Sequence, residues 1–175
     1  MHLKTNLPKK ILSWYDNNKR DLPWRVSKNS PKKLYYRLLS EFMLQQTQVK
    51  TVLPYFKKFL LHFPTLESLS RSNEKKVLKL WEGLGYYRRA RNLLATAKVL
   101  VKEHNSKLPK KIINMKKLPG IGDYTANALL EFIYDEPTIA ENGNVKRVIS
   151  RLINKSENLL DLNKIIAQKK KSKKV

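Results

Sequence analysis

Residues 118–126, LPGIGDYTA, carry two glycines two apart, a proline before the first and a threonine soon after the second. Apolar residues recur at helical spacing on both sides, so the wider segment 108–136, LPKKIINMKKLPGIGDYTANALLEFIYDE, reads as helix, tight turn, helix. Glycine permits such a turn and lets a partner's backbone come close. The amides opening the second helix point outward and can hold a phosphate without reading base sequence. An ordinary helix–helix turn with a glycine cap would also account for Gly120 and Gly122. The charge of the whole chain favours the phosphate.

That charge is large. The 175 residues hold 37 Lys+Arg against 14 Asp+Glu, a formal net charge of +23. The terminal QKKKSKKV contributes five lysines, and removing them still leaves +18. Such an excess attracts polyanions, nucleic acid first among them. No cysteine is present, which excludes disulfides, thiolate zinc sites and cysteine-ligated iron–sulfur clusters. Apolar runs are short and broken by Lys or Arg, so no membrane span is expected. MHLKTNLPKK lacks the apolar core of a secretory signal. With 41% hydrophobic residues and eight tyrosines, the composition suits a packed domain with a pocket better than a nucleic-acid coat protein.

Outward from the turn, helical spacing dominates. Ile11, Leu12, Trp14 and Tyr15 mark a short amphipathic helix, and 19–33 is a proline-containing loop. The pattern from about Leu34 to Phe63 is helical, with a break expected near Pro54. TLESLSRS and NEKKVLKLWEGLG form two short helices, the second ending at its glycines. YYRRARNLLATAKVLVKEHN forms a long basic helix with Leu93, Ala97, Leu100 and Val101 on one side. Strand-like alternation is almost absent, and the fold class is all-α.

Two further stretches carry chemistry. Tyr86, Tyr87, Arg88, Arg89 and Arg91 interleave aromatic and basic side chains, suited to stacking on bases and neutralising phosphates, or to a core tyrosine beside a solvated basic face. On a helix, Glu41, Gln45 and Gln48 would line one face within an apolar segment. That stripe is either exposed or the wall of a pocket; burial in a pocket would raise the acid's pKa and keep its proton available.

SEFMLQQTQV, GLGYYRRARNL, LPGIGDYTA and GNVKRV, in this order and at these separations, resemble the adenine DNA glycosylases of the MutY type, within the helix-hairpin-helix superfamily of base-excision repair enzymes. The resemblance covers about Ile11 to Ile153. It implies a helix-hairpin-helix glycosylase fold with the six-helix region largely present and the second lobe truncated. Residues 1–20 would supply the amino-terminal helix of that second lobe, 21–155 the glycosylase domain, and 156–175 a truncated lysine-rich tail. It further implies a monomer acting on duplex DNA, cytoplasmic and nucleoid-associated, that flips adenine out from opposite 8-oxoguanine or guanine.

By the same resemblance Glu41 protonates the purine so that the base can leave, with Tyr124 and Asn144 supporting the reaction centre. Gln46 and Tyr86 wedge into the duplex. Gly120 and Gly122 hold a phosphate, while Arg25, Gln45, Arg88 and Lys146 complete the DNA contacts. Tyr124 stands where the related endonuclease III type has a catalytic lysine, so strand cleavage through a Schiff base is not expected.

Three departures from the pattern stand out. The family reads DGNV where this chain reads NGNV, so the second catalytic carboxylate becomes Asn142. Losing one preorganised electrostatic partner costs about 3–4 kcal/mol in the transition state, and the chain is expected to bind substrate better than it cleaves it. Asn142-Gly143 is also prone to deamidation, which would restore an aspartate. Second, the four-cysteine iron–sulfur segment of the family has no counterpart, so no cofactor is expected. The returning helices that would cover Ile11 and Trp14 are also expected to be cut short, which predicts marginal stability or aggregation. Third, the 8-oxoguanine-reading domain is absent, and the lysine-rich end is either a natural tail or a frameshift product. Two rivals remain: a non-catalytic DNA-binding module of the same fold, and a basic protein that coats nucleic acid.

Overall fold

The computed structural model describes residues 7–154. Among them are nine helices: α1 Leu7–Asn18, α2 Lys33–Leu44, α3 Val49–His62, α4 Leu66–Ser70, α5 Glu74–Trp81, α6 Arg88–His104, α7 Ile112–Met115, α8 Asp123–Tyr134 and α9 Gly143–Ile153. The described residues contain no strand.

Helix α2 is the hub. Leu38, Leu39, Phe42 and Met43 recur at helical spacing and are fully buried, and the helix packs on α3, α6 and α8. Its apolar stripe is wide enough to serve several neighbours at once. Helix α6 buries Leu93, Ala97 and Leu100 and crosses α4 and α5. Phe59 packs edge-to-face on Trp81 at 5.7 Å and on Phe63 at 5.3 Å, a geometry worth about 0.5–1.5 kcal/mol per pair beyond burial. Short helices start where side chains replace missing hydrogen bonds. Thr65 and Ser68 form a reciprocal capping box at α4, and Asn73 accepts from the Lys76 amide at 2.9 Å at α5.

One expectation needs correction. The break in the 34–63 segment lies at 45–48, and Pro54 sits inside α3. Pro54 and Lys50 are both exposed, so the hydrogen bond that proline removes can be replaced by water. The expected loop is present over 19–32 and contributes to the core: Leu22 and Trp24 are buried, and Trp24 meets Phe56 at 5.1 Å.

Helix α1 buries none of its residues, with Leu12 63% and Trp14 64% exposed. The lysine-rich tail lies outside the described residues.

Candidate active site

A cleft of about 1980 Å³ opens between the end of α2, the turn before α6, the 118–125 hairpin and the start of α9. All four motif blocks of the sequence therefore meet on one cavity.

Glu41 lies in the last turn of α2 and lines this cleft, half-buried. Burial raises its carboxyl pKa to about 7, against a downward pull from Arg37 one turn earlier on the same helix. Arg37 is stacked over the Phe132 ring at 4.0 Å, so its charge is held against α8. Tyr124, in the first turn of α8, also lines the cleft. Its phenol pKa is raised by burial first and by the charge of Glu41 second, while a hydrogen bond from Asn142 opposes the rise. Acid, phenol and amide thus sense one another across a single cavity.

Asn142 has a second task. It is the N-cap of α9, its Oδ1 accepting from the Val145 amide at 2.9 Å. The side chain is engaged by both Val145 and Tyr124. Asn144 is exposed to the cleft, and its Oδ1 accepts from the Arg147 guanidinium at 3.0 Å.

The hairpin is built around Gly120. Its φ of +76° suits glycine, and a Cβ there would lie 2.8 Å from the Asn92 side chain and from Phe42 Cε1. Thr96 donates to the Pro119 carbonyl at 2.8 Å, and Gln45 Nε2 donates to the Gly120 carbonyl at 3.5 Å. Gly122 differs: its backbone is extended and a Cβ would meet nothing within 4 Å. As the N-cap of α8 it offers no side-chain cap, which leaves first-turn amides to partners from outside.

Gln46 (φ 56°) and Tyr86 (φ 49°) sit in the left-handed region and both line the cleft. Backbone strain of this kind costs about 1–3 kcal/mol and persists only where the surroundings enforce it. Arg89 does the enforcing. Its Nη1 donates to the carbonyls of Met43 at 2.8 Å and Gln45, and its Nη2 to those of Leu84 at 3.3 Å and Gly85 at 3.2 Å. One buried guanidinium closes α2 and pins the GLG turn. Its stack on Tyr86, 5.3 Å from the ring centroid, also holds that ring.

Several assignments are therefore corrected. Gln45 and Gln48 do not continue a helical stripe from Glu41: α2 ends at Leu44, Gln45 braces the hairpin and Gln48 caps α3. Arg25 and Lys146 do not line the cleft. Arg25 lies over the Tyr15 ring at 5.7 Å, and Lys146 pairs with Glu141 at 3.5 Å. Of the arginines beside Tyr86, Arg89 is structural and Arg91 pairs with Glu74 at 2.7 Å; Arg88 is exposed on the cleft wall. Sequence reasoning missed Asn92, Lys116 and Arg147, all of which line the cleft. Arg147 was recoverable, because it follows Asn144 by one helical turn.

No group of three or more His, Asp or Glu among the described residues could hold a metal ion. The family's iron–sulfur cluster finds no thiolate anywhere in the 175 residues.

Comparison with known proteins agrees with this geometry. Residues 39–172 match the HhH-GPD superfamily of base excision DNA repair proteins. An adenine DNA glycosylase of Buchnera aphidicola subsp. Baizongia pistaciae is 46% identical over 142 residues, which are 81% of this chain and 39% of that protein. The counterpart from Buchnera aphidicola subsp. Acyrthosiphon pisum is 44% identical with the same coverage. This chain thus spans about two fifths of the length of these relatives. A thermostable thymine-DNA glycosylase superposes with a TM-score of 0.75 at 25% identity, covering 89% of this chain and 70% of that one. The chain belongs to the HhH-GPD superfamily of base excision DNA repair proteins, and within it its sequence sides with the adenine DNA glycosylases.

Proposed function

We propose that this chain hydrolyses the N-glycosidic bond of adenine mispaired with 8-oxoguanine or guanine in duplex DNA, without cleaving the strand. The carrying observation is Glu41: a carboxyl in the cleft where the four motif blocks meet, whose pKa of about 7 leaves it substantially protonated near neutrality.

In this reading the hairpin amides hold a phosphate of the target strand, while Gln46 and Tyr86 fill the gap left by the extruded adenine. Glu41 donates a proton to the purine ring. The bond between C1′ and the base nitrogen then breaks, its electron pair leaving with adenine, and the sugar becomes an oxocarbenium-like cation. Water adds at C1′ and gives up a proton. Tyr124 and Asn142 line the same cavity as neutral groups, so the cation meets dipoles instead of a second carboxylate. No lysine lines the cleft at position 124, which supports simple hydrolysis.

Single-turnover adenine release from an A:8-oxoguanine duplex tests this reading. Glu41→Gln should slow release about 10²–10⁴-fold, the ordinary contribution of a general acid. Unchanged release would remove Glu41 as the proton donor. A non-catalytic DNA-binding module is the second reading, and Asn142 is what favours it. If Asn142 is the limiting defect, Asn142→Asp should accelerate release about 10²–10³-fold, with the α9 cap retained because aspartate caps equally well. Duplex binding with no adenine released by either protein would establish the module instead.

A further inference from the structure

A second depression, about 820 Å³, lies beside the cleft, between the end of α3 and α5. Its floor is apolar, from Leu78 and Leu80, and its rim carries Lys75, Lys76 and Lys79, all exposed. On α5 these lysines stand at i, i+1 and i+4, so Lys75 and Lys79 share one face with Lys76 beside them. Tyr87 lines both this depression and the catalytic cleft. The two surfaces are therefore continuous, with the exposed Arg88 next to the shared tyrosine.

We infer that α5 carries the phosphodiester backbone of the same DNA duplex beyond the target nucleotide, its lysines contacting flanking phosphates and its apolar floor facing the sugars. This rests on the glycosylase reading of the cleft but adds a surface to it. Three features select DNA over other anions. The lysines form a row, as successive phosphates require. The floor is apolar, as sugars allow. The row also runs on from the cleft proposed to take the target nucleotide, because Tyr87 lines both. Lys79 is paired with Glu82 at 2.7 Å, so its charge is partly neutralised, and about two phosphate contacts are expected from the three residues.

The experiment measures duplex affinity by fluorescence anisotropy across a salt series, with the full chain and an A:8-oxoguanine duplex. Lys75→Gln/Lys76→Gln/Lys79→Gln should flatten the slope of log K against log salt by about 2 and weaken binding about tenfold or more at low salt. Adenine release under saturating enzyme should keep the parent rate, since none of the three lines the cleft. A control, Lys98→Gln/Lys102→Gln/Lys107→Gln, removes equal charge from the far half of α6 and beyond, starting about 15 Å along the helix from Arg88. It should change the slope much less. Shortening the duplex on one side only should abolish the difference between parent and α5 variant. Equal slopes for parent and α5 variant, equal effects of the two triple variants, or a difference indifferent to flank length would each overturn the inference. The glycosylase reading fails separately, through duplex binding with no adenine released.

Discussion

The behaviour of Glu41 is a balance between burial, which favours the neutral acid, and Arg37, which favours the carboxylate. Other charged or titratable groups around this pair are Tyr124 and Glu131 from α8, Arg25 from the loop and Tyr15 from α1. The sign is therefore fixed. The protonated form dominates below about 7 and is lost above it, so adenine release should decline on the alkaline side of neutrality. Arg37→Leu removes the opposing pull, which should raise the Glu41 pKa further and extend activity to higher pH. A pH–rate profile of parent and variant reads the displacement; an alkaline limb that stays in place, or moves down, contradicts it. Linkage gives a second readout of the same group. Because the folded-state pKa is raised above the unfolded value, this carboxyl's contribution is present at acid pH and lost as pH rises through about 7. Melting temperatures should therefore fall more steeply between pH values of about 4.5 and about 7 for the parent than for Glu41→Gln, and the two slopes should agree above that range.

Among the elements, the two hairpin glycines have separable roles. Gly120→Ala meets both an unfavourable φ and the Phe42 ring at 2.8 Å, so a loss of about 2–3 kcal/mol is expected in denaturant unfolding. Gly122→Ala meets nothing within the protein. Its methyl should leave stability within about 0.5 kcal/mol of the parent and weaken duplex binding, by standing where a phosphate would approach. Loss of stability at both sites, with no specific loss of binding at Gly122, would return the hairpin to an ordinary turn. The hairpin was legible in the sequence because glycine spacing and flanking helical periods are local. The end of α2 was not. Gln45 and Gln48 fit a helical stripe, and only the distant Arg89 donating to the carbonyls of Met43 and Gln45 stops the helix there. A contact spanning more than forty residues leaves no trace in local periodicity. For the same reason the sequence leaves Arg89 between a phosphate contact and a solvated face, with no sign that Trp24 in its loop is buried.

At the scale of the whole molecule, the charge of +23 that the proposed DNA binding relies on also strains the fold, because like charges packed into one small domain repel. Few ion pairs relieve it. Most of those among the described residues, such as Lys28–Asp135 at 2.6 Å and Lys116–Asp123 at 2.6 Å, are solvent-exposed and worth about 0–1 kcal/mol each. Salt should therefore act in opposite directions on folding and on binding. Added salt screens the repulsion over roughly 8–10 Å at physiological strength, so the melting temperature of the free chain should rise between low and moderate salt. Over the same range duplex affinity should fall, as counterion release loses its advantage. DNA bound at a hundred times its dissociation constant adds about 2.7 kcal/mol to stability by mass action. The DNA-bound chain should then melt highest at low salt, and the free chain at higher salt. Differential scanning fluorimetry with and without duplex reads both trends, which should converge as rising salt releases the duplex. Parallel trends would mean that the positive charge is not what couples this fold to its nucleic acid.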